Sequence, residues 1–282
     1  MDLFFHRYTL VPRRRLSAVA REGVREGALL RWNGGFADVH PWPELGDAPL
    51  DEQLARLARG ELTPLTKAPL RLATLDGDAR KRGVSLFEGL TIPESHWPGA
   101  DPPEGFDTVK LKTVHDLPEG VRIRIDCNAT FTAREFLQIA GTLPRERIDF
   151  IEDPCPYDAE VWGDLRERTG LRLALDRGTG ESGRPAFDVL VHKPALSVLF
   201  PEFEGEIVVT SYMDHPVGQF GAAYVAATHA VSERCGLMTH VLYEPDPFFE
   251  RVEREGARLL PPRGTGIGFD DLLESLPWQT LR

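Results

Sequence analysis

Hydrophobic and polar positions alternate along the middle of the chain in a series of short runs, each closing on a charged residue. In order they are Val109-Lys110-Leu111-Lys112, Ile123-Arg124-Ile125-Asp126, Phe150-Ile151-Glu152-Asp153, Leu173-Ala174-Leu175-Asp176 and Leu190-Val191-His192-Lys193. Such runs predict β-strands, whose side chains take opposite faces with a period of two. Lys110 and Lys112 then share a face, as do Arg124, Asp126 and Asn128. Helical patterns occupy some of the intervals, over Thr132 to Ala140, Asp158 to Thr169 and Gln219 to Arg234. Strands alternating with helices from Gly89 onward predict a parallel α/β sheet, open or closed. The amino-terminal part reads differently. Ala28 to Trp32 is strand-like and Asn33-Gly34-Gly35 is a turn signal. A helix opens at Pro49-Leu50, continues through Leu57 and ends near Gly60. Pattern alone assigns Ala68 to Glu88 to no element.

The intervals between the charged ends constrain the connections. Asp126 to Glu152 is 26 residues and Glu152 to Asp176 is 24, each enough for a strand–helix–strand unit. Lys112 to Asp126 is only 14 and Asp176 to Lys193 is 17. A parallel crossover normally needs a dozen or more residues outside its strands. The segment Asp116 to Gly120 is therefore expected to be a loop in place of a crossover helix.

If the strands are parallel neighbours, Asp126, Glu152 and Asp176 converge at one edge with a lysine on either side. A single acid at a strand end reads most simply as a solvated group. Three on successive strands, flanked by lysines, point to a metal site between two proton-transfer groups. Oxygen donors without histidine or cysteine suit a hard cation such as Mg²⁺. Lys110 and Lys112 would turn two positive charges inward, which is costly unless they are paired or functional. A nearby cation lowers a lysine's pKa and makes it a usable base.

Other signals carry less. The glycine-rich stretches Arg177 to Gly183 and Gly264 to Gly268 fit neither a P-loop nor a dinucleotide fingerprint and read as loops. Thr210 to Gly218 follows the strand Ile207-Val208-Val209 and precedes a helix. Ser211 or a backbone N–H there is a candidate to hold a substrate carboxylate, with a plain helix cap as the alternative. His192 and His215 read as structural, and no Gly-x-Ser-x-Gly elbow is present.

Composition narrows the classes. The 282 residues are 41% hydrophobic, as expected of a globular chain, and the net charge of -11 argues against nucleic acid or an anionic membrane as partner. No apolar stretch reaches the length needed to span a bilayer. The start lacks a signal-peptide pattern and the three cysteines are scattered, so a reducing cytoplasm is the expected location.

These residues together resemble the enolase superfamily, and within it the o-succinylbenzoate synthase group. Lys110-Leu111-Lys112 is similar to that family's Lys-x-Lys, Asp126 with Asn128 to its Asp-x-Asn, Glu152-Asp153-Pro154 to its Glu-Asp-Pro, and Lys193-Pro194 to its Lys-Pro. Asp176 takes the third ligand position, although Arg177 follows where the family often has an acid. The resemblance extends to Arg25 to Leu30 and to Gly264 to Gly268, so it covers most of the chain.

The resemblance implies an α/β fold, a modified (β/α) TIM-like barrel with a small N-terminal α+β capping domain. The cap is expected over residues 1–88, the barrel over 89–262, and a returning segment over 263–282. It implies that Asp126, Glu152 and Asp176 hold Mg²⁺, that Lys112 removes a proton α to the carboxylate of a small-molecule substrate, and that Lys193 stabilises the resulting anion. Lys110 would help depress the pKa of Lys112. Ser211, Arg124 and Asn128 are assigned to substrate binding. The implied reaction is the dehydration of a cyclohexadiene carboxylate of menaquinone synthesis to an aromatic product. Within the same superfamily the alternatives are an N-acylamino acid racemase, a dipeptide epimerase and a muconate-type cycloisomerase. A non-catalytic barrel and an open α/β binding protein are the readings from other classes.

Overall fold

A computed structural model describes residues 3–16, 20–176 and 185–282. Three antiparallel strands open the chain, β1 (Phe4–Leu10), β2 (Arg25–Trp32) and β3 (Gly35–Val39). The turn between β2 and β3 has Asn33 and Gly34 at φ 54° and 82°. Positive φ at both central positions is what a tight hairpin following the strand twist requires. Two helices follow, α1 (Leu50–Ala58) and α2 (Pro64–Lys81). Helix α2 lies so close to β3 that a Cβ on Gly35 would collide with the backbone of Ala73 and Gly77.

Six parallel strands then run side by side in chain order. They are β4 (Thr108–Leu111), β5 (Arg122–Asp126), β6 (Ile148–Glu152), β7 (Leu173–Leu175), β8 (Val189–His192) and β9 (Glu206–Val209). Helix α3 (Ala133–Ala140) joins β5 to β6, α4 (Ala159–Thr169) joins β6 to β7, and α5 (Pro216–Thr228) follows β9. Both α3 and α4 begin where the sequence supplies a cap. Thr132 and Glu135 form a reciprocal capping box, and the Asp158 carboxylate accepts from the N–H groups of Glu160 and Val161. Between β4 and β5 no helix forms, and Asp116 and Gly120 turn the chain with positive φ.

Two single-bridge segments close the ring. Trp97 bridges Val109 of β4, Ser95 bridges Cys235, and Gly236 bridges Thr210 at the end of β9, all in parallel sense. The structure is thus a TIM-like barrel with an N-terminal cap, and two of its staves are reduced to a few residues. Its interior is packed by Phe150, Ala174, Val189, Val191 and Val208. Outward residues such as Ile123, Ile125 and Ile151 pack against Phe136 of α3 and Trp162 of α4.

Two elements differ from expectation. The helix expected over Gln219 to Arg234 begins at Pro216, because His215 Nδ1 caps the Val217 N–H and proline at the first turn sacrifices no hydrogen bond. It stops at Thr228, and Ala230 is left-handed at φ 47°. The unassigned stretch from Ala68 holds most of α2. Pro69 lies inside that helix, and its buried face carries Thr66, Asp76 and Gly77 among the apolar residues, which blurs the hydrophobic stripe.

The carboxyl terminus returns to the cap. Short strands β10 (Arg254–Glu255) and β11 (Arg258–Leu259) precede α6 (Asp270–Ser275), and β12 (Gln279–Thr280) pairs antiparallel with β1. Asp76 of α2 fastens this return. Its carboxylate is fully buried and accepts from Phe36 N at 2.7 Å, from Arg80 Nε at 2.7 Å and from the Ile267 N–H. Asp76→Ala leaves two buried backbone N–H donors and the Arg80 Nε–H without their acceptor. It is expected to lower unfolding free energy by about 3 kcal/mol, read from urea denaturation, where a neutral effect would contradict this anchoring role.

Candidate active site

Because the strands are parallel and in register, the residues that end them meet at one mouth. Asp126 of β5 pairs in register with Glu152 of β6, which pairs with Ala174 two residues before Asp176. Alternation then turns Lys110, Asp126, Glu152, Asp176 and Lys193 to the interior. The barrel mouth opens into a cavity of about 620 Å³, walled on the cap side by the segments around Arg15, Leu16 and Leu45.

The charges in this mouth are paired. Lys110 Nζ lies 3.2 Å from Asp126 Oδ2 and 2.7 Å from Glu152 Oε2. Lys112 Nζ lies 3.8 Å from Asp126 Oδ2, a looser approach. Lys193 is bonded to Asp176 Oδ2, with its Nζ 5.4 Å from the centre of the Tyr212 ring. Asn128 donates to Asp126 Oδ1 from its side chain at 2.9 Å and from its backbone at 3.0 Å. Asn128 and Asp153 follow their strands at φ 50° and 44°, left-handed turns that end each strand abruptly.

This arrangement separates the two neighbouring lysines. Burial disfavours charge on both. For Lys110 the attraction of Asp126, Glu152 and Asp176 outweighs burial and raises its pKa. For Lys112 burial prevails, with Lys110 and Lys193 adding to it against the pull of Asp126, so its pKa is lowered. Among the acids, burial pushes Glu152 up to about 7, reinforced by Asp126 and Asp176. Asp126 is drawn the other way, since three lysines overcome its burial.

The donor set fits a hard cation. All three acids present oxygen, and Asp176 Oδ1 is buried with no hydrogen-bond partner in the described structure. With lysine ammonium groups lodged among the carboxylates, no three His, Cys, Asp or Glu side chains among the described residues are gathered as a formed metal centre.

The remaining expected residues divide. Asn128 and Ser211 line the cavity. Ser211 is already engaged, its N–H with Gly236 O at 3.1 Å and its hydroxyl with Thr239 Oγ1 at 2.6 Å. Arg124 is a correction to the expected substrate-binding set. Its guanidinium is buried below the mouth, donating to Asp149 Oδ2 at 2.8 Å and to the Arg234 carbonyl, and stacked 4.6 Å over Phe150. Asp149 reaches it because β6 carries a register shift against β5 at this point. The glycine-rich stretch Arg177 to Gly183 lies outside the described residues. Pattern reading missed Thr239, His96 and the cap segment around Arg15, none of which stands in a periodic run. His96 lines the cavity with Nδ1 3.1 Å from Arg124 Nη1.

Comparison with known proteins bears on the family and the fold. Residues 3–79 match the family model described as the O-succinylbenzoate synthase N-terminal domain. The chain is 36% identical over 322 aligned positions to an o-succinylbenzoate synthase of Bdellovibrio bacteriovorus, covering 98% of this chain and 97% of that one. A Thermobifida fusca o-succinylbenzoate synthase is 26% identical over 79% of this chain and 77% of its own length. Among solved structures, a dipeptide epimerase from Cytophaga hutchinsonii complexed with Mg and a dipeptide matches with a TM-score of 0.75 at 13% identity, covering 100% of this chain and 99% of that one. That likeness is one of fold.

Replacing Lys110 by methionine removes the cation between two buried carboxylates. In cation-free buffer Lys110→Met is expected to destabilise the protein by about 3 kcal/mol, and Mg²⁺ should restore much of that loss. Thermal unfolding with and without Mg²⁺ measures both effects. An unchanged midpoint in cation-free buffer would contradict the pairing.

Proposed function

The chain belongs to the o-succinylbenzoate synthase family of the enolase superfamily, and from that premise we propose that it dehydrates 2-succinyl-6-hydroxy-2,4-cyclohexadiene-1-carboxylate to 2-succinylbenzoate in menaquinone biosynthesis. The observation that carries this reading is the division of labour between adjacent lysines, one tied to two carboxylates and the other loosely held with a lowered pKa. Asp126, Glu152 and Asp176 are the residues that would hold Mg²⁺. When bound, a divalent cation supplies positive charge against which negative charge can develop on a substrate carboxylate.

The chain's own groups account for the proton's path. Lys112 Nζ, neutral in its reactive form, takes the proton α to the carboxylate. Lys193, just after β8 across the mouth and paired with Asp176, offers positive charge from the other side. The ammonium of Lys112 then returns the proton to the departing hydroxyl, and loss of water leaves the aromatic ring. Proton and electron pair balance within the substrate, so no oxidant is needed. Cap residues Arg15, Leu16 and Leu45 line the cavity, where they would limit access of water to the anion.

The assay is Mg²⁺-dependent appearance of 2-succinylbenzoate from the cyclohexadiene carboxylate. Turnover abolished by chelation is the expected result. Equal exchange from both faces of an N-acylamino acid, requiring Lys112 and Lys193 alike, would favour the racemase reading instead.

The lysine roles give a further test. In D₂O with a slow substrate analogue, Lys112→Ala should abolish exchange of the α-proton, and Lys193→Ala should slow it roughly 10²-fold. Since only neutral Lys112 accepts a proton, kcat/KM should rise with pH until its lowered pKa is passed, then level off. Near-normal exchange in Lys112→Ala would reassign the base.

A further inference from the structure

His96 sits on the bridging segment between Cys235 and β4, diametrically across the ring from β7, the strand leading to Asp176. Its side chain is almost fully buried, yet it forms part of the cavity wall. The neighbour behind it fixes its chemistry. Arg124 Nη1 is 3.1 Å from His96 Nδ1, and a guanidinium has donors and no acceptor. Nδ1 must therefore present its lone pair, which places the ring proton on Nε2. The alternative imidazolium would set two cations at hydrogen-bond distance. Burial, Arg124 and Lys110 all hold the ring below its ordinary pKa.

Arg124 cannot easily move away. Asp149 holds its Nε at 2.8 Å, its Nη1 also donates to the Arg234 carbonyl, and Phe150 packs against its face. The guanidinium also polarises the imidazole it donates to, so the Nε2–H is a stronger donor than that of a free histidine. Among the described residues no side chain or carbonyl is recorded accepting from Nε2, and the ring borders the open cavity.

We propose that His96 is a substrate-recognition residue, held by Arg124 as the neutral Nε2–H tautomer and donating to an oxygen of the substrate's acyl chain. This rests on the synthase reading, in which the ring carboxylate goes to the Asp126–Glu152–Asp176 side. The acyl chain then lies toward the opposite stave. Arg124 acts through His96 and is a positioning residue.

The test uses the Mg²⁺-loaded protein and two probes, 2-succinylbenzoate and benzoate, with calorimetry as the readout. His96→Leu should weaken binding of 2-succinylbenzoate about 10-fold or more and leave benzoate unchanged, while His96→Gln, which keeps an N–H donor, should recover part of the loss. Equal weakening of both probes, or of neither, overturns the role of His96 and leaves the synthase reading intact. If the wild-type protein binds neither probe, the synthase reading fails and the acyl-chain assignment with it. A second measurement needs no variant. The ¹⁵N resonances of His96 in the wild-type protein should show a protonated Nε2 and a bare Nδ1, with Nε2 shifting when 2-succinylbenzoate is added. A protonated Nδ1 overturns the proposal.

Discussion

Three carboxylates drawn into one barrel mouth repel one another, and burial removes the water that would screen them. The chain meets this constraint with lysines from the strands on either side. Lys110 of β4 bridges Asp126 and Glu152, and Lys193 beyond β8 closes on Asp176. Parallel pairing brings the acids to one end of the barrel, Asp126 and Glu152 level with each other and Asp176 two residues beyond the partner of Glu152. A divalent cation would compensate the same charge more strongly than two ammonium groups do.

The same constraint separates the chemistry of Lys110 from that of Lys112. The two side chains are two residues apart on one face, with Lys112 the more exposed of the two. Lys110 reaches two carboxylates within 3.2 Å, whereas Lys112 reaches one at 3.8 Å. The nearer lysine keeps its proton and the farther one becomes able to release it. Pairs of titratable groups pushed apart by their surroundings mark acid–base roles. The supporting layer below the mouth follows a similar logic. Arg124 and Asp149 neutralise each other inside the barrel and carry the polarity upward to His96.

Much of this was legible in the sequence, for a specific reason. The strands that carry charged ends are long enough to show a period of two, so the faces of Lys110, Asp126 and Glu152 followed from spacing. The short interval after Lys112 likewise excluded a crossover helix. What stayed hidden has no period to read. The staves at Ser95 to Trp97 and at Cys235 to Gly236 are single bridges, and His96 is carried on one of them. Arg124 was placed on the correct face but at the wrong depth, since alternation gives direction and not height. The register shift that brings Asp149 beneath it is a tertiary feature. Helix α2 is obscured by Pro69 and by the polar and small residues Thr66, Asp76 and Gly77 on its buried face.

A crystal structure with Mn²⁺, the ion located by its anomalous scattering, tests the central claim most directly. One ion bonded to oxygens of Asp126, Glu152 and Asp176, with the Lys110 ammonium displaced from between the first two, is the result predicted. An ion bound elsewhere, or carboxylates still closed on Lys110 and Lys193 at saturating Mn²⁺, would contradict it.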